Sequence, residues 1–302
     1  MMKRTRRAKR PANAMASAAA LALIAGLGLS SCSQPSEQNA TEQPAAEQAA
    51  PEQNAAVQPA GAEDATTQHA KARLKAMSDY LAAQQAISLD YDTVFEVVTS
   101  DQQKLQLATS GTILLNRPDK MRATRKSGFA DTETVYDGKT LSILGKGQNA
   151  YVQAEVPGTI DTVIDQLRDK FQRQLPGADL LLQNVYAELM TDVTDVKDLG
   201  SGVIGGTECD HYAFRAKETD WQIWIAQGPA PYPCRYVITS KGVDQSPQFS
   251  MVVRDWKSGA EVAATDFAFK PPANAKRLDA KDLQTLKETS DLPENYRIGD
   301  AK

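Results

Sequence analysis

The sequence predicts an α+β domain in which helices pack on one face of an antiparallel sheet. Three observations carry this. An apolar stripe at i, i+3 and i+4 runs through residues 66–86; period-two alternation then recurs in about a dozen short segments separated by turn residues; and two further helical stripes interrupt the alternation between residues 159 and 190. Runs of strands beside runs of helices, without regular βα alternation, favour an antiparallel sheet over a doubly wound one.

Leu74, Met77, Tyr80 and Leu81 form the first stripe, and Ser88 marks the change to period two. Leu89, Tyr91, Thr93, Phe95 and Val97 then alternate with Asp90, Asp92, Val94, Glu96 and Val98, the pattern of a half-buried strand. A second strand spans Lys104 to Leu115, with Leu105, Leu107, Ile113 and Leu115 on one face, and Arg117-Pro118-Asp119-Lys120 reads as a turn. Strands follow at Met121–Lys126, Glu133–Asp137, Thr140–Leu144 and Asn149–Val156, with Asp137-Gly138 as a hairpin signal.

Thr159 is placed to N-cap a helix that carries Ile160, Val163, Ile164, Leu167 and Phe171 on one face as far as Leu175, where Pro176-Gly177 stops it. Leu182, Val185, Tyr186, Leu189 and Met190 stripe a third helix. Strands then resume at Val193–Leu199, Glu208–Lys217, Asp220–Ala226, Arg235–Ser240, Gln248–Lys257 and Ala264–Lys270. Pro229, Pro231 and Pro233 mark a connection outside any central ladder. The count is about 11–12 strands and about three helices.

The N-terminus sets the address. Lys3, Arg4, Arg6, Arg7, Lys9 and Arg10 precede an uncharged apolar run from Ala14 to Leu29. That run is roughly 16 residues, shorter than the ~20 a spanning helix needs, and it has the layout of a secretory signal. Leu29-Ser30-Ser31-Cys32 at its end reads as a lipobox: residues 1–31 are removed and Cys32 carries the lipid anchor. Ser33, in place of Asp, resembles the outer-membrane sorting signal, so the expected location is the periplasmic face of the outer membrane. Residues 32–66, rich in Gln, Ala, Glu and Pro, cannot bury enough surface to fold and form a linker with a reach of roughly 30 Å. The folded domain is expected over 67–278, with a charged tail at 279–302.

Six of the 34 Lys and Arg lie ahead of Cys32, which leaves 28 against 38 Asp and Glu and a formal charge of −10. An acidic surface argues against nucleic-acid partners. Cys209 and Cys234 form an even pair in an oxidising compartment, either as a disulfide, which is the expectation, or as two buried thiols.

Several segments resemble the LolA/LolB-like superfamily of bacterial lipoprotein carriers, and within it a branch of uncharacterised predicted periplasmic proteins. The resemblance rests on Asn116-Arg117-Pro118-Asp119-Lys120-Met121-Arg122, Val135-Tyr136-Asp137-Gly138-Lys139 and His211-Tyr212-Ala213-Phe214-Arg215. It continues in Asp220-Trp221-Gln222-Ile223-Trp224-Ile225 and Phe267-Ala268-Phe269-Lys270-Pro271-Pro272, and covers about residues 70–275. It implies an unclosed antiparallel half-barrel with helices on its concave face and a cavity able to hold acyl chains. Candidate lining residues are Leu89, Tyr91, Phe95, Leu107, Ile113, Trp221, Ile223 and Ile225 from strands, with Val163, Leu167, Val185 and Leu189 from helices. Periodicity by itself describes an ordinary closed core equally well, so a pocket of several hundred Å³ is what separates a carrier from a scaffold module. LolB-type proteins also deliver cargo through an apolar loop residue. Phe129, in Gly128-Phe129-Ala130-Asp131, stands at a similar point and is the candidate for membrane contact.

Signals for catalysis do not assemble. Gly200-Ser201-Gly202-Val203-Ile204-Gly205 fits a dinucleotide fingerprint, but a strand and not a helix follows, so it reads as a flexible turn. Cys209 and His211 share a strand face, yet the only other histidine is His69 at the linker edge, so no metal is expected. Asp131, Glu133 and Asp137 fall at hairpin turns, and Arg122 and Arg125, on opposite faces of one strand, read as surface charges more than ligand clamps. The expected function is non-enzymatic and cofactor-free: a membrane-anchored lipoprotein that binds a lipid, lipoprotein or other apolar ligand.

Overall fold

The computed structural model describes residues 64–279, apart from 172, 174, 263 and 264. These all belong to the second of two units, Pro59–Lys302. The expected signal segment, Cys32, most of the expected linker and the expected charged tail beyond residue 279 lie outside the described residues.

A 19-residue helix, α1 (Ala65–Ala83), opens the domain, with Asp64 Oδ1 accepting the Thr67 N–H at 2.7 Å as its N-cap. Six antiparallel strands follow: β1 (Ala86–Val98), β2 (Lys104–Asn116), β3 (Lys120–Ser127), β4 (Asp131–Tyr136), β5 (Thr140–Gly145) and β6 (Ala150–Glu155). Helix α2 (Ile160–Asp169), a 3-10 turn at Ala178–Leu181 and helix α3 (Val185–Leu189) precede β7 (Asp195–Ile204), β8 (Thr207–Arg215), β9 (Thr219–Ala226), β10 (Pro233–Ser240), β11 (Gln248–Ser258) and β12 (Lys276–Leu278). All twelve strands join one sheet in the order β12-β6-β5-β4-β3-β2-β1-β11-β10-β9-β8-β7. The ends do not pair, so the barrel is unclosed. Every pairing is antiparallel except β12 with β6.

One face of this sheet, the inner face, carries the core. Leu74, Met77 and Leu81 of α1 and Val163, Ile164 and Leu167 of α2 share a single buried cluster with Leu89, Leu115, Tyr136, Val152, Tyr212 and Ile223. The helix stripes and the strand alternation were legible separately, and burial joins them. Helix α1 is fastened to the β8–β9 end of the sheet by Arg73, which bonds Asp210 Oδ2 through Nε at 3.0 Å and the Ala226 carbonyl at 3.3 Å. The 159 cap is reciprocal, a capping box with Thr162.

Cys209 and Cys234 form the expected disulfide on the opposite, outer face, Cα to Cα 6.8 Å, packed with Ala226. Cys234 falls in the β9–β10 bulge, so the bridge fixes a strand start that backbone pairing leaves irregular. Replacing both cysteines by serine is expected to lower unfolding free energy by about 3 kcal/mol on the chain-entropy estimate, read as a shift in urea midpoint. An unchanged midpoint would assign the bridge no constraining role.

Four expected elements differ. The segment expected as a strand at 264–270 has no strand at Thr265–Lys270; it straps across the outer face, where Arg122 Nη2 takes the carbonyls of Asp266 (2.7 Å) and Ala268 (3.2 Å), and Phe269 packs on Tyr151 at 5.3 Å. The twelfth strand comes later, at Lys276–Leu278. Helix α2 stops at Asp169 and not Leu175: the i→i−4 ladder ends there, with the N–H groups of Phe171 and Arg173 donating to the carbonyls of Gln166 and Leu167. The third helix shrinks to Val185–Leu189: Leu182 is extended, and Asn184 caps the helix by accepting the Ala187 N–H at 3.1 Å. The glycine-rich 200–205 segment continues β7 through a bulge at Asp198–Ser201, and the turn proper is Gly205-Gly206.

Candidate functional site

The inner face bears a cavity at one end of the middle strands. Register dictates its floor. Val253, Tyr91, Gly111 and Arg125 stand opposite one another across β11, β1, β2 and β3; Met251, Thr93, Thr109 and Ser127 form the next row, and Phe249, Phe95 and Leu107 the third. Strand alternation turns all of these to the same face. The roof is the connection after α2: Leu175, Pro176, Gly177, Ala178 and Leu181 close over the floor and leave a volume of about 230 Å³.

Two glycines make this geometry possible. Gly111 faces Tyr91, whose ring crosses β2 so that its Oη donates to the Thr124 carbonyl at 2.9 Å. A Cβ at 111 would stand against Thr124 O and 2.5 Å from Tyr91 Oη, so only glycine fits. Gly177 has φ of +84° and lies so close over the floor that its Cβ would meet Phe249 at 3.4 Å and Met251 Sδ at 3.6 Å.

A second, deeper void of about 20 Å³ adjoins the first. It is lined by Leu81, Leu89, Leu115, Val253 and Trp256, and shares Ile113, Gly177, Leu181 and Met251 with the main cavity. The partition between the two is therefore side chain and one loop, with an adaptable methionine in it.

The candidate lining residues divide. Tyr91, Phe95, Leu107 and Ile113 line the main cavity, and Leu89 lines the deeper void. Val163, Leu167, Val185, Leu189, Trp221, Ile223 and Ile225 sit in the packed core, none more than 8 % exposed, under helices that cover the two flanks of the sheet. Trp221 instead stacks on Phe214, centroids 3.9 Å apart. Sequence reasoning missed Thr93, Thr109, Phe249, Met251 and the roof. Phe249 and Met251 stood in a strand whose neighbour in space, β1, could not be read from chain order. Phe129 is half-buried in the β3–β4 turn, away from the cavity; its N–H donates to Ser127 Oγ at 3.3 Å.

Electrostatically the cavity is nearly neutral. Among the described residues that line it, Arg125 is the one with a formal charge. Burial pushes the Tyr91 phenol up to about 12, opposed by the positive charge of Arg125. Arg122, on the outer face, pairs with Glu133. His211 stacks on Trp224 at 3.8 Å with Nε2 3.0 Å from Gln222 Oε1, and burial pulls its pKa down; Arg235 covers the same indole. Among the described residues no group of three His, Cys, Asp or Glu is arranged to hold a metal, and no helix is long and apolar enough to cross a membrane.

The motif residues Pro118 and Tyr136 serve one end of the domain. Pro118 O accepts the Ile160 N–H at 2.9 Å and so seats α2 on the β2–β3 turn, and Tyr136 Oη donates toward the carbonyls of Val156 and Gly158.

Sheet, roof and void together define an open half-barrel with an apolar pocket under a loop. The chain belongs to the DUF2092 family of predicted periplasmic proteins, whose match spans residues 70–280. Among solved structures it is similar to the lipoprotein LppX of Mycobacterium tuberculosis (12 % identity, 66 % of this chain and 99 % of that one, TM-score 0.34). It is also similar to LprF from Mycobacterium bovis (15 %, 68 % and 99 %, 0.39). A LolA superfamily protein from Nitrosomonas europaea is a third (10 %, 64 % and 94 %, 0.30). No curated protein matches the chain.

Proposed function

We propose that this chain is an envelope lipoprotein, anchored through Cys32 to the outer membrane, that holds an apolar chain in its half-barrel without doing chemistry on it. The observation that carries this is the cavity itself: a void of about 230 Å³ walled by Phe95, Leu107, Ile113, Leu181, Phe249 and Met251 that the fold leaves unfilled. The pocket opens to solvent, so an acyl chain that enters it moves from water against apolar walls and contributes about 0.8 kcal/mol per buried methylene. The volume lies below the ~300–1,000 Å³ of pockets for drug-sized ligands, so a single slender chain fits it better than a bulky one. Rotation of Met251 and Leu181 would lengthen the site into the deeper void.

The test is a titration with a fluorescent fatty-acyl probe. Saturable binding is expected, weakened at least ~10-fold by Leu107→Asp, since a carboxylate in the wall must be desolvated against the chain. Leu107 is half-buried, and circular dichroism and urea unfolding of the variant check that it folds. Unsaturable binding, or equal affinity in the variant, would overturn the reading.

A protein-interaction module is the second reading, and one observation favours it. The edge strand β7 exposes Leu199 (47 %) and Val203 (66 %) beside an unpaired ladder edge.

A further inference from the structure

The pocket narrows toward one end. Phe95 and Leu107 in the third row are half-buried, whereas Leu89 and Leu115 at the deeper void are buried. At that deep end β11 departs from regular pairing. Phe249, Met251 and Val253 face inward in turn, so strict alternation would next bring Asp255 to the void. Instead Ser88 stands opposite Lys257 and Asp90 opposite Arg254, which leaves Leu89 facing two residues, Asp255 and Trp256. Asp255 takes a φ of +48°, uncommon for a residue with a Cβ, and the extra residue moves the alternation on by one. An indole therefore lines the void where a carboxylate would have stood.

Two contacts hold that indole. Its ring stacks on Tyr232, with centroids 5.1 Å apart and planes 3° from parallel. Its Nε1 donates to Tyr80 Oη at 3.4 Å, and that hydroxyl shares a 2.8 Å hydrogen bond with Ser258 Oγ. Trp256 and Tyr232 are half-buried, so the stacked pair lies between the void and solvent. Met251, in the partition, can move aside by rotating its side chain; a ring held by a stacked partner cannot. Along β1 the rise from Phe95 to Leu89 is about 20 Å at strand spacing, the length of an extended palmitoyl chain.

Resting on the pocket reading above, we propose that Trp256 is the end stop of the pocket and sets the length of chain it selects. An acyl chain enters at the Phe95 row, passes Met251 and meets the indole with its methyl end. A chain that reaches the stop buries no further methylene, so affinity rises with length as far as palmitoyl and is flat beyond it. Short of the stop, each methylene is worth about 4-fold in affinity.

The experiment is a competition titration on the purified full-length chain, displacing a fluorescent acyl probe with lauroyl, palmitoyl or arachidoyl lysophosphatidylcholine. Palmitoyl is expected to bind at least 10-fold more tightly than lauroyl, and arachidoyl to match palmitoyl within about 3-fold. Trp256→Ala opens the end, and arachidoyl is then expected to gain at least 10-fold over palmitoyl. A second reading uses the indole itself: a palmitoyl chain brominated at its methyl end is expected to quench tryptophan fluorescence at least 2-fold more than one brominated beside the ester. Trp256→Phe is expected to abolish that difference. The wild-type series and the quenching need no truncated side chain, so a misfolded Trp256→Ala does not rescue the idea. Affinity that climbs more than 3-fold from palmitoyl to arachidoyl in wild type overturns the end stop while the apolar pocket stands. Equal affinity for lauroyl and palmitoyl, equal quenching by the two bromines, or a folded Trp256→Ala with no gain for arachidoyl overturns it as well. Failure of all three lipids to displace the probe overturns it together with the pocket reading.

Discussion

Gly111→Ala is expected to destabilise the domain by about 3 kcal/mol, at the upper end of overpacking costs and beyond them if β2 and β3 separate. A single methyl group does this because it has nowhere to go. It would stand against the carbonyl of Thr124 on the neighbouring strand and 2.5 Å from Tyr91 Oη on the other side. Backbone cannot yield as a flexible side chain can, so relieving the Thr124 contact opens the β2–β3 ladder at Gly111–Arg125 whether or not Tyr91 also leaves the floor. Opening it dismantles the row on which the cavity rests. Urea unfolding of the variant checks this; a midpoint shift worth under 1 kcal/mol would mean that β2 and β3 adjust freely at this row and that it does not fix the floor of the pocket.

Ala178→Trp should act in the opposite sense on stability and on binding. Ala178 stands in the roof, and an indole placed there occupies the space that an acyl chain would take. Filling a void recovers dispersion contacts, and cavity-filling substitutions commonly add about 0.5–2 kcal/mol. The same indole is expected to weaken acyl-probe binding about 100-fold, or about 2.8 kcal/mol. A structural role for the void predicts the first effect without the second. Raised stability with undiminished binding would place the ligand elsewhere on the molecule.

Much of the fold was legible because each strand has only one buried face. The alternation in Leu89–Val97 and in Leu105–Leu115 follows directly from burial on the inner face, and the α1 stripe from contact with that face. Three things were not legible. The stretch Phe267-Ala268-Phe269 alternates as a strand does, but Arg122 takes its carbonyls, and a long-range hydrogen bond leaves no local signature. The three residues of β12 are too few to show any period, and they pair parallel with β6 across a long connection. The cavity itself was hidden because an apolar residue that faces a void looks the same in sequence as one that faces a neighbour. Ile223 and Ile113 belong to the same pattern; one is fully buried in packed core and the other lines the pocket.

Location within the cavity follows from order in the sheet. Strands β1 and β11 are neighbours although more than a hundred residues separate them in sequence, and that pairing brings Phe249 and Met251 to Phe95 and Thr93. Pro176-Gly177 reads in sequence as the stop of a helix that in fact ends at Asp169, and Leu175-Pro176-Gly177 instead form part of the roof. Arg125 reads as a surface charge because a charged residue on a strand usually is one; its place at the border of the cavity becomes visible only with the register of three strands.

The central claim is that the half-barrel holds an apolar chain, and native mass spectrometry with lipid extraction tests it most directly. The measurement is made on the protein taken from the cell envelope without exchange into detergent. A saturable, reproducible added mass of one single-chain lipid, absent from Ala178→Trp prepared alongside, is the predicted result. A clean unliganded mass in wild type, with an acyl probe that also fails to bind, would contradict it.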